Sequence, residues 1–523
     1  VTTAAVAALV VLPLVPGVLG GGGAAALVGL PVESIVAVLL VLTVAARLSR
    51  GLAAAAFGCV VVAALLAGAL DAVFRATIDR PFNPADDGRA VLDGYGVVAD
   101  ALGPLGAASA ALLALVLVAA AAAGLALAAL RTGAVARAHP RGRVAVAGVA
   151  VAWIALAVVG AHSAQGAPLA AARSGGELAE TTERALASVR ELAAFDREVR
   201  GDTLAADPGF AALRGKDVVL VFVESYGRVS LEDAPFTSRI RQTLAQGETD
   251  LARAGYDGRS AFLTSPTFGG VSWLAHATLQ AGVWVDSPQK YARLLDGERA
   301  TLSGLFGAAG WHTMSVVPSN GRDWDEGRAF YGFDTMLDAR TMGYRGPAFG
   351  YARMPDQYTW RVFHDRRSDV PGPVMAEIDL VSSHTPWTPL PELVPWSQLG
   401  DGRVFASHAA AGPSAAEVWG DPARVRELYG ASIAYSLEAT FSYLETFGRR
   451  DLVVVLVGDH QPAPIVSGTD ASHDVPVTII AQDPAVLDAV EEWGWERGIH
   501  PSASAPVWRM DEFRDRFVAA FGG

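Results

Sequence analysis

Three apolar runs in this chain stop at residues that bind metals or move protons. Asp451-LVVVLVG leads directly into Asp459-His460, Asp217-VVLVFV stops at Glu224-Ser225, and Val374-MAEIDLVSS stops at His384. Adjacent carboxylate and imidazole donors at the end of an apolar run suit a divalent transition metal. Glu224 taken alone also fits a helix cap or a solvated loop, and His384 in Ser-Ser-His-Thr-Pro also fits a turn cap. The only cysteine, Cys59, lies inside an apolar run, which excludes a disulfide framework, a cysteine zinc cluster and an exposed thiol nucleophile. A nucleophile must then be a hydroxyl. The segment 264–282, TSPTFGGVSWLAHATLQAG, places Gly269-Gly270 just ahead of Ser272 and an apolar helical pattern after it. Glycines allow close backbone approach, and a helix N-terminus offers amide donors and a positive dipole end. A hydroxyl there would sit where a developing oxyanion is stabilised. Ser272 as an ordinary N-cap is the alternative, and the local sequence does not choose between them.

The elements that must position these residues are legible in the same runs. Each is short and apolar, as strands buried on both faces are, and helical patterns such as 429–447 separate them. This predicts an α/β domain with a mostly parallel central sheet flanked by helices. In such sheets ligands collect beyond the carboxyl ends of the strands, so Glu224, His384, Asp459 and His460 are expected to converge.

Charge is unevenly spread. Residues 1–160 hold 9 basic and 7 acidic side chains, leaving 32 of the 41 basic and 47 of the 54 acidic ones to the remainder. The N-terminal third suits hydrocarbon and the rest resembles a soluble domain, so a single soluble globule is excluded. The acidic balance of the distal part also argues against nucleic acid as a partner. Five stretches approach the length of about 20 apolar residues needed to cross a bilayer: 3–20, 28–46, 52–72, 104–130 and 143–161. The short connections with Arg47 and Arg50, and with Arg131, Arg137, Arg141 and Arg143, carry no acid. The loop after the third stretch mixes Arg75, Arg80 and Arg89 with six aspartates. The positive-inside rule makes the arginine-only loops cytoplasmic, so the expectation is a multi-pass plasma-membrane protein with a cytoplasmic N-terminus and an extracytoplasmic distal domain. A cleaved signal peptide is the other reading of the first stretch, but no small-residue cleavage site follows it before the next apolar run. Glu33 is read as interfacial. The expected organisation is a transmembrane domain of about five helices over 1–161, a juxtamembrane linker over 162–215 with one amphipathic helix at 177–200, and a catalytic domain over 216–523.

Taken in order, VFVES, GGVSW, SSHTPW and VGDHQ resemble the motifs of the alkaline phosphatase/sulfatase superfamily. The resemblance is to its membrane-anchored branch of lipoteichoic acid synthase and other phosphoglycerol transferases. It covers the whole chain in layout and about 217–480 in motifs. It implies that Glu224, Ser272, Asp459 and His460 bind one divalent cation, most often manganese, with zinc, calcium or magnesium in relatives. Ser272 would be the nucleophile, His384 the histidine on the substrate phosphate, and Arg322 and Trp324 part of the substrate pocket, with Arg328 competing for the arginine role. The branch usually has threonine as nucleophile, which leaves Thr264 and Thr267 as rivals to Ser272. Asp379 and His473 resemble part of a second metal site in the phosphatase branches, although the gap from Asp379 to His384 is one residue longer than in those relatives. Sulfatase chemistry through formylglycine requires (C/S)-x-P-x-R. Only Ser504 has proline two residues on, and Trp508 stands where the arginine should.

The expected function is therefore metal-dependent transfer or hydrolysis on a lipid-linked or cell-envelope phosphodiester, of the glycerol-phosphate type, through a phosphoserine enzyme anchored to the lipid bilayer. A two-metal phosphodiesterase or phosphatase of the same superfamily is one alternative. A catalytically inactive membrane scaffold or sensor is another.

Overall fold

The three apolar runs that stop at candidate ligands become neighbouring strands of one sheet. The computed structural model describes residues 2–522 except 203, 205–207, 233 and 470, giving the backbone alone for residues 2, 89–94 and 96–102. The chain divides into two units. One holds residues up to Ala76 together with Arg80–Glu191, and the other holds Leu192–Gly523 together with Thr77–Asp79. The amphipathic helix expected at 177–200 spans Arg173–Arg200, and the division falls within it. The parts of the expected linker at 203 and 205–207 lie outside the described residues.

The first unit is helical. Among the described residues, four segments are long and apolar enough to cross a membrane: Thr3–Leu27, Arg47–Ile78, Gly103–Ala138 and Pro140–Val159. The third is the distal part of a longer helix, Pro84–Ala138, that breaks at Gly103, where φ is 76° and Pro104 follows. The remaining expected stretch, 28–46, is helical only over Val32–Thr43. Twelve residues rise about 18 Å, less than the roughly 30 Å of a hydrocarbon core. Backbone geometry at both ends explains the difference. Gly29 has a φ of 146°, Leu30–Pro31 pair in extended form with Ala170–Ala171, and Val44 is extended beyond the last turn. At that last turn the Arg137 guanidinium donates to the carbonyls of Val41 and Leu42.

In the second unit we number the strands β1 (Asp217–Val223), β2 (Asp257–Thr264), β3 (His312–Val317), β4 (Thr335–Asp338), β5 (Val374–Leu380), β6 (Leu452–Gly458), β7 (Asp474–Ala481), β8 (Glu496–Arg497) and β9 (Val507–Arg509). They form a nine-stranded sheet in the order β8-β2-β7-β6-β1-β5-β3-β4, with β9 also paired to β2. The central strands β6, β1, β5, β3 and β4 are all parallel, whereas β7 is antiparallel to β6. Four helices pack on the sheet or lead into its loops near the strand ends: α1 (Ser238–Arg253), α2 (Ser272–Ala281), α3 (Asp356–Ser368) and α4 (Pro422–Phe447).

Alternation along β1 explains why it reads as continuously apolar. Val219, Val221 and Val223 join the core built with α1, α3 and α4, while Val218, Leu220 and Phe222 join the core containing Ala275 and Leu279 of α2. Helices therefore cover both faces, which is the condition under which parallel strands lose their polar side.

β6 ends at Gly458 because no side chain fits there: a Cβ would run into the Tyr226 carbonyl and reach within 3.2 Å of Val475 Cβ. Gly458→Ala is expected to lower stability by about 1–3 kcal/mol through overpacking. It should also weaken metal binding, because the next residue is Asp459. The thermal midpoint and metal affinity of the full chain in detergent check this, and unchanged values for both would contradict the close approach.

Candidate active site

β6, β1 and β5 end level with one another, since Val223 pairs with Gly458 on one side and Leu380 on the other. The residues just past these ends emerge together. The Glu224 amide donates to the Leu380 carbonyl at 3.0 Å, and the Asp459 amide to the Val223 carbonyl at 3.4 Å.

Asp459 is oriented by backbone. The amides of Ser225 and His460 donate to its Oδ1 at 2.7 and 2.6 Å, and the Ser225 amide points there from a left-handed φ of 57°. Its Oδ2 faces His460 Nε2 at 3.7 Å. His460 Nδ1 lies 2.8 Å from the Gln461 carbonyl, which can only accept, so a hydrogen belongs on Nδ1 and Nε2 is the ring atom left to face the carboxylates. From Nε2 it is 3.3 Å to Glu224 Oε1 and 3.2 Å to Ser272 Oγ. Ser272 Oγ donates to Glu224 Oε2 at 2.9 Å, and Ser225 Oγ donates to Glu224 Oε1 at 2.8 Å.

Two donors sharing a tetrahedral ion at bonds of about 2.1 Å stand about 3.4 Å apart. The separations here bracket that value. The donor set of two carboxylates, one imidazole and one hydroxyl thus fits a divalent cation in chemistry and spacing.

Ser272 is not a cap. The N-cap position belongs to Val271, a β-branched residue held at φ 59°, and Ser272 is the first residue of α2, its hydroxyl committed to Glu224. A branched side chain in the left-handed region costs about 1–3 kcal/mol and is found where surrounding structure enforces it. The rivals are occupied elsewhere: Thr264 donates to Asp474 at 2.9 Å, and Thr267 is buried beside Ser265 Oγ at 3.3 Å.

A pocket of about 220 Å³ opens over these groups, and His384, Trp324, Trp273 and Tyr351 contribute to its wall. His384 stacks on Tyr351 with ring centroids 3.8 Å apart, and its Nδ1 lies 2.6 Å from the Thr385 carbonyl. The turn before it is anchored by Asp356 of α3. That carboxylate accepts from the amides of Val381 and Ser382 at 2.8 and 3.0 Å and from Ser436 Oγ of α4 at 2.6 Å. Ser383 Oγ then donates to the Glu224 carbonyl at 2.6 Å, tying the histidine turn to the ligand turn.

The remaining sequence-based assignments divide. Trp324 lines the pocket, whereas Arg322 is exposed and outside its lining, and Arg328 donates to the carbonyls of Phe333 and Asp334. Asp379 lines the pocket, but the imidazole beside it is His276. His473 packs its ring 5.2 Å from Phe268 instead. The sequence reading missed His276, Glu377 and Tyr351. Spacing could have found two of them. His276 lies four residues after Ser272 on a helix, and Glu377 lies two before Asp379 on a strand.

Charge in the site is strongly coupled. Burial pushes Glu224 up, but the His460 charge and hydrogen bond outweigh it and hold this carboxyl well below the usual range. Asp459 is pushed up to about 6, first by burial and then by the Glu224 charge. Burial drives His460 down, and the charges of Asp459 and Glu224 more than reverse this, to about 9.

Among known proteins, no family model matches the chain, and no curated protein matches it. Solved structures do match. They include the lipoteichoic acid synthase LtaP from Listeria monocytogenes, at 15% identity and TM-score 0.35, covering 55% of this chain and 70% of that one. The C-terminal periplasmic domain of EcEptC from Escherichia coli matches at 14% identity and TM-score 0.38, covering 59% and 82%. The Streptococcus pyogenes phosphoglycerol transferase GacH matches at 11% identity and TM-score 0.33, covering 64% and 91%.

Because metal must displace protons from His460 and Asp459, affinity is expected to level off above about pH 9, to fall as pH drops below that, and to fall more steeply below about 6, where Asp459 is protonated as well. Calorimetric Mn2+ titrations in buffers of different ionisation heat check this. A pH-independent affinity with no proton release would contradict it.

Proposed function

We propose that this chain is a metal-dependent phosphotransferase or hydrolase acting on phosphodiesters of the cell envelope, with Ser272 as nucleophile. One observation carries the reading. The only hydroxyl at the start of α2 lies 2.9 Å from Glu224 Oε2 and 3.2 Å from His460 Nε2, in a pocket that His384 also lines.

Glu224, Asp459, His460 and Ser272 would hold the cation, with Mn2+ the first choice. When bound it would lower the Ser272 hydroxyl pKa and neutralise charge on a nonbridging phosphoryl oxygen. Glu224 Oε2 is placed to accept the Ser272 proton. Oγ then forms a bond to phosphorus as the bond to the first alcohol breaks, and that alcohol leaves with the proton Glu224 took from Ser272. The amides at the start of α2 are donors available to the phosphoryl oxygens, and the His384 ring lines the same pocket. A second alcohol, or water, attacks the phosphoserine and restores the hydroxyl. The exposed faces of Trp273 and Tyr351 on the pocket wall suit a substrate larger than inorganic phosphate.

The membrane unit would keep this site beside lipid-linked donors. We read all five apolar segments as crossing the membrane. Val32–Thr43 qualifies with its extended flanks, because its start pairs with Ala170–Ala171 beyond the last long helix and its end meets Arg137, in the last turn of the helix before it. An odd number of crossings from a cytoplasmic N-terminus leaves the catalytic unit outside.

Ser272→Ala is expected to reduce turnover of a diester such as bis(p-nitrophenyl) phosphate by at least about 10³-fold. Metal content should stay near wild type; retained activity would exclude Ser272. Exhaustive chelation should abolish turnover, and added Mn2+ should restore it. For orientation, Arg497→Cys in a Cys59→Ser background should react with an impermeant maleimide in intact cells. Reaction only after permeabilisation would place the catalytic unit inside.

A further inference from the structure

The pocket reaches a second group of donors that the Ser272 chemistry does not use. We propose that His276, Glu377 and Asp379 form a second divalent-cation site, suited to Zn2+ or Mn2+. The site goes beyond the Ser272 reading and does not depend on it.

Placement comes from two periodicities. His276 lies one helical turn beyond Ser272 on α2, and Glu377 and Asp379 alternate on β5 so that both face α2. On the neighbouring strand β1, Phe222 stacks flat against the His276 ring, with centroids 3.8 Å apart, and fixes its plane. All three residues line the pocket, so an ion has a route in.

The distances favour a shared ion over direct bonding. His276 Nδ1 is 3.7 Å from Glu377 Oε1 and 3.7 Å from Asp379 Oδ1. Both separations exceed hydrogen-bond length, and an imidazolium gripped by two carboxylates would close one of them to about 2.8 Å. They match instead the spacing of two donors on one ion, as at Glu224, Asp459 and His460. Asp379 Oδ1 is buried with no hydrogen-bond partner among the described residues, and so is His276 Nε2. An orphaned carboxylate oxygen aimed at an imidazole across such a gap calls for a cation. Glu377 is already braced for the role. Its Oε2 accepts from Gln280 Nε2 at 2.5 Å, and Gln280 Oε1 accepts from the Ser303 amide at 3.0 Å, which fixes the amide's orientation. The ligand set differs from the Asp379 and His473 pair implied by resemblance, because the imidazole beside Asp379 is His276, while His473 packs against Phe268.

The test is metal counting on the full chain in detergent, stripped of metal and then dialysed against Zn2+. Wild type is expected to hold two equivalents, and Glu377→Gln and His276→Gln one each. Asp459→Asn should also hold one, and the Glu377→Gln, Asp459→Asn double variant none. Near-UV circular dichroism confirms that each variant is folded, and His276→Gln stands in should Glu377→Gln fail. A single wild-type equivalent that Asp459→Asn removes overturns the proposal, as does a second equivalent that survives both pocket variants. A single equivalent lost in Glu377→Gln but kept in Asp459→Asn supports the second site and overturns the Ser272 reading instead.

Discussion

The level ending of three parallel strands is the constraint on which the site depends. Because Val223 pairs with Gly458 and with Leu380, the polypeptide leaves β1, β6 and β5 at a common height, and residues 236 positions apart come within ligand distance. A slip of one residue in any of these pairings would turn Glu224 or Asp459 to the opposite face of the sheet. The register is held in turn by side chains buried on both faces, so the chemistry rests on the packing of valines and leucines as much as on its own polar groups.

The backbone completes what the register begins. Two amides fix one oxygen of Asp459, a carbonyl fixes one nitrogen of His460, and a left-handed Val271 precedes Ser272, whose Oγ reaches Glu224 and His460. Each ligand therefore presents one chosen atom. Such preorganisation lowers the reorganisation needed when charge develops at a reacting centre. It also explains why acids and an imidazole can be concentrated in a buried place: each has a neighbour of opposite charge or a backbone partner.

Much of this was legible in the sequence for a physical reason. Strands buried on both faces must be apolar throughout, so the runs ending at Glu224 and Asp459 stood out, and so did the polar residues that interrupted them. Gly269-Gly270 marked the approach to Ser272 in the same way. Glu377 and Asp379 were harder to assign because they lie within a strand, where facing is settled by alternation that only a known register makes meaningful. Tyr351 and the exposure of Arg322 belong to irregular segments whose path depends on tertiary contacts. The stretch 28–46 was visible as apolar, but its helix is confined to Val32–Thr43 because apolar composition does not reveal where Gly29, Pro31 and Val44 take the chain out of helical geometry.

The buried carboxyl of Asp356 has a consequence for selectivity. It fastens the end of β5 to two helices at once, so the wall carrying His384 behaves as a fixed jaw. Any accommodation of bulkier or smaller cargo must come from the wall residues carried by irregular segments, such as Trp324. Evolutionary retuning of this pocket toward a different occupant would accordingly be written in those segments, leaving the jaw untouched.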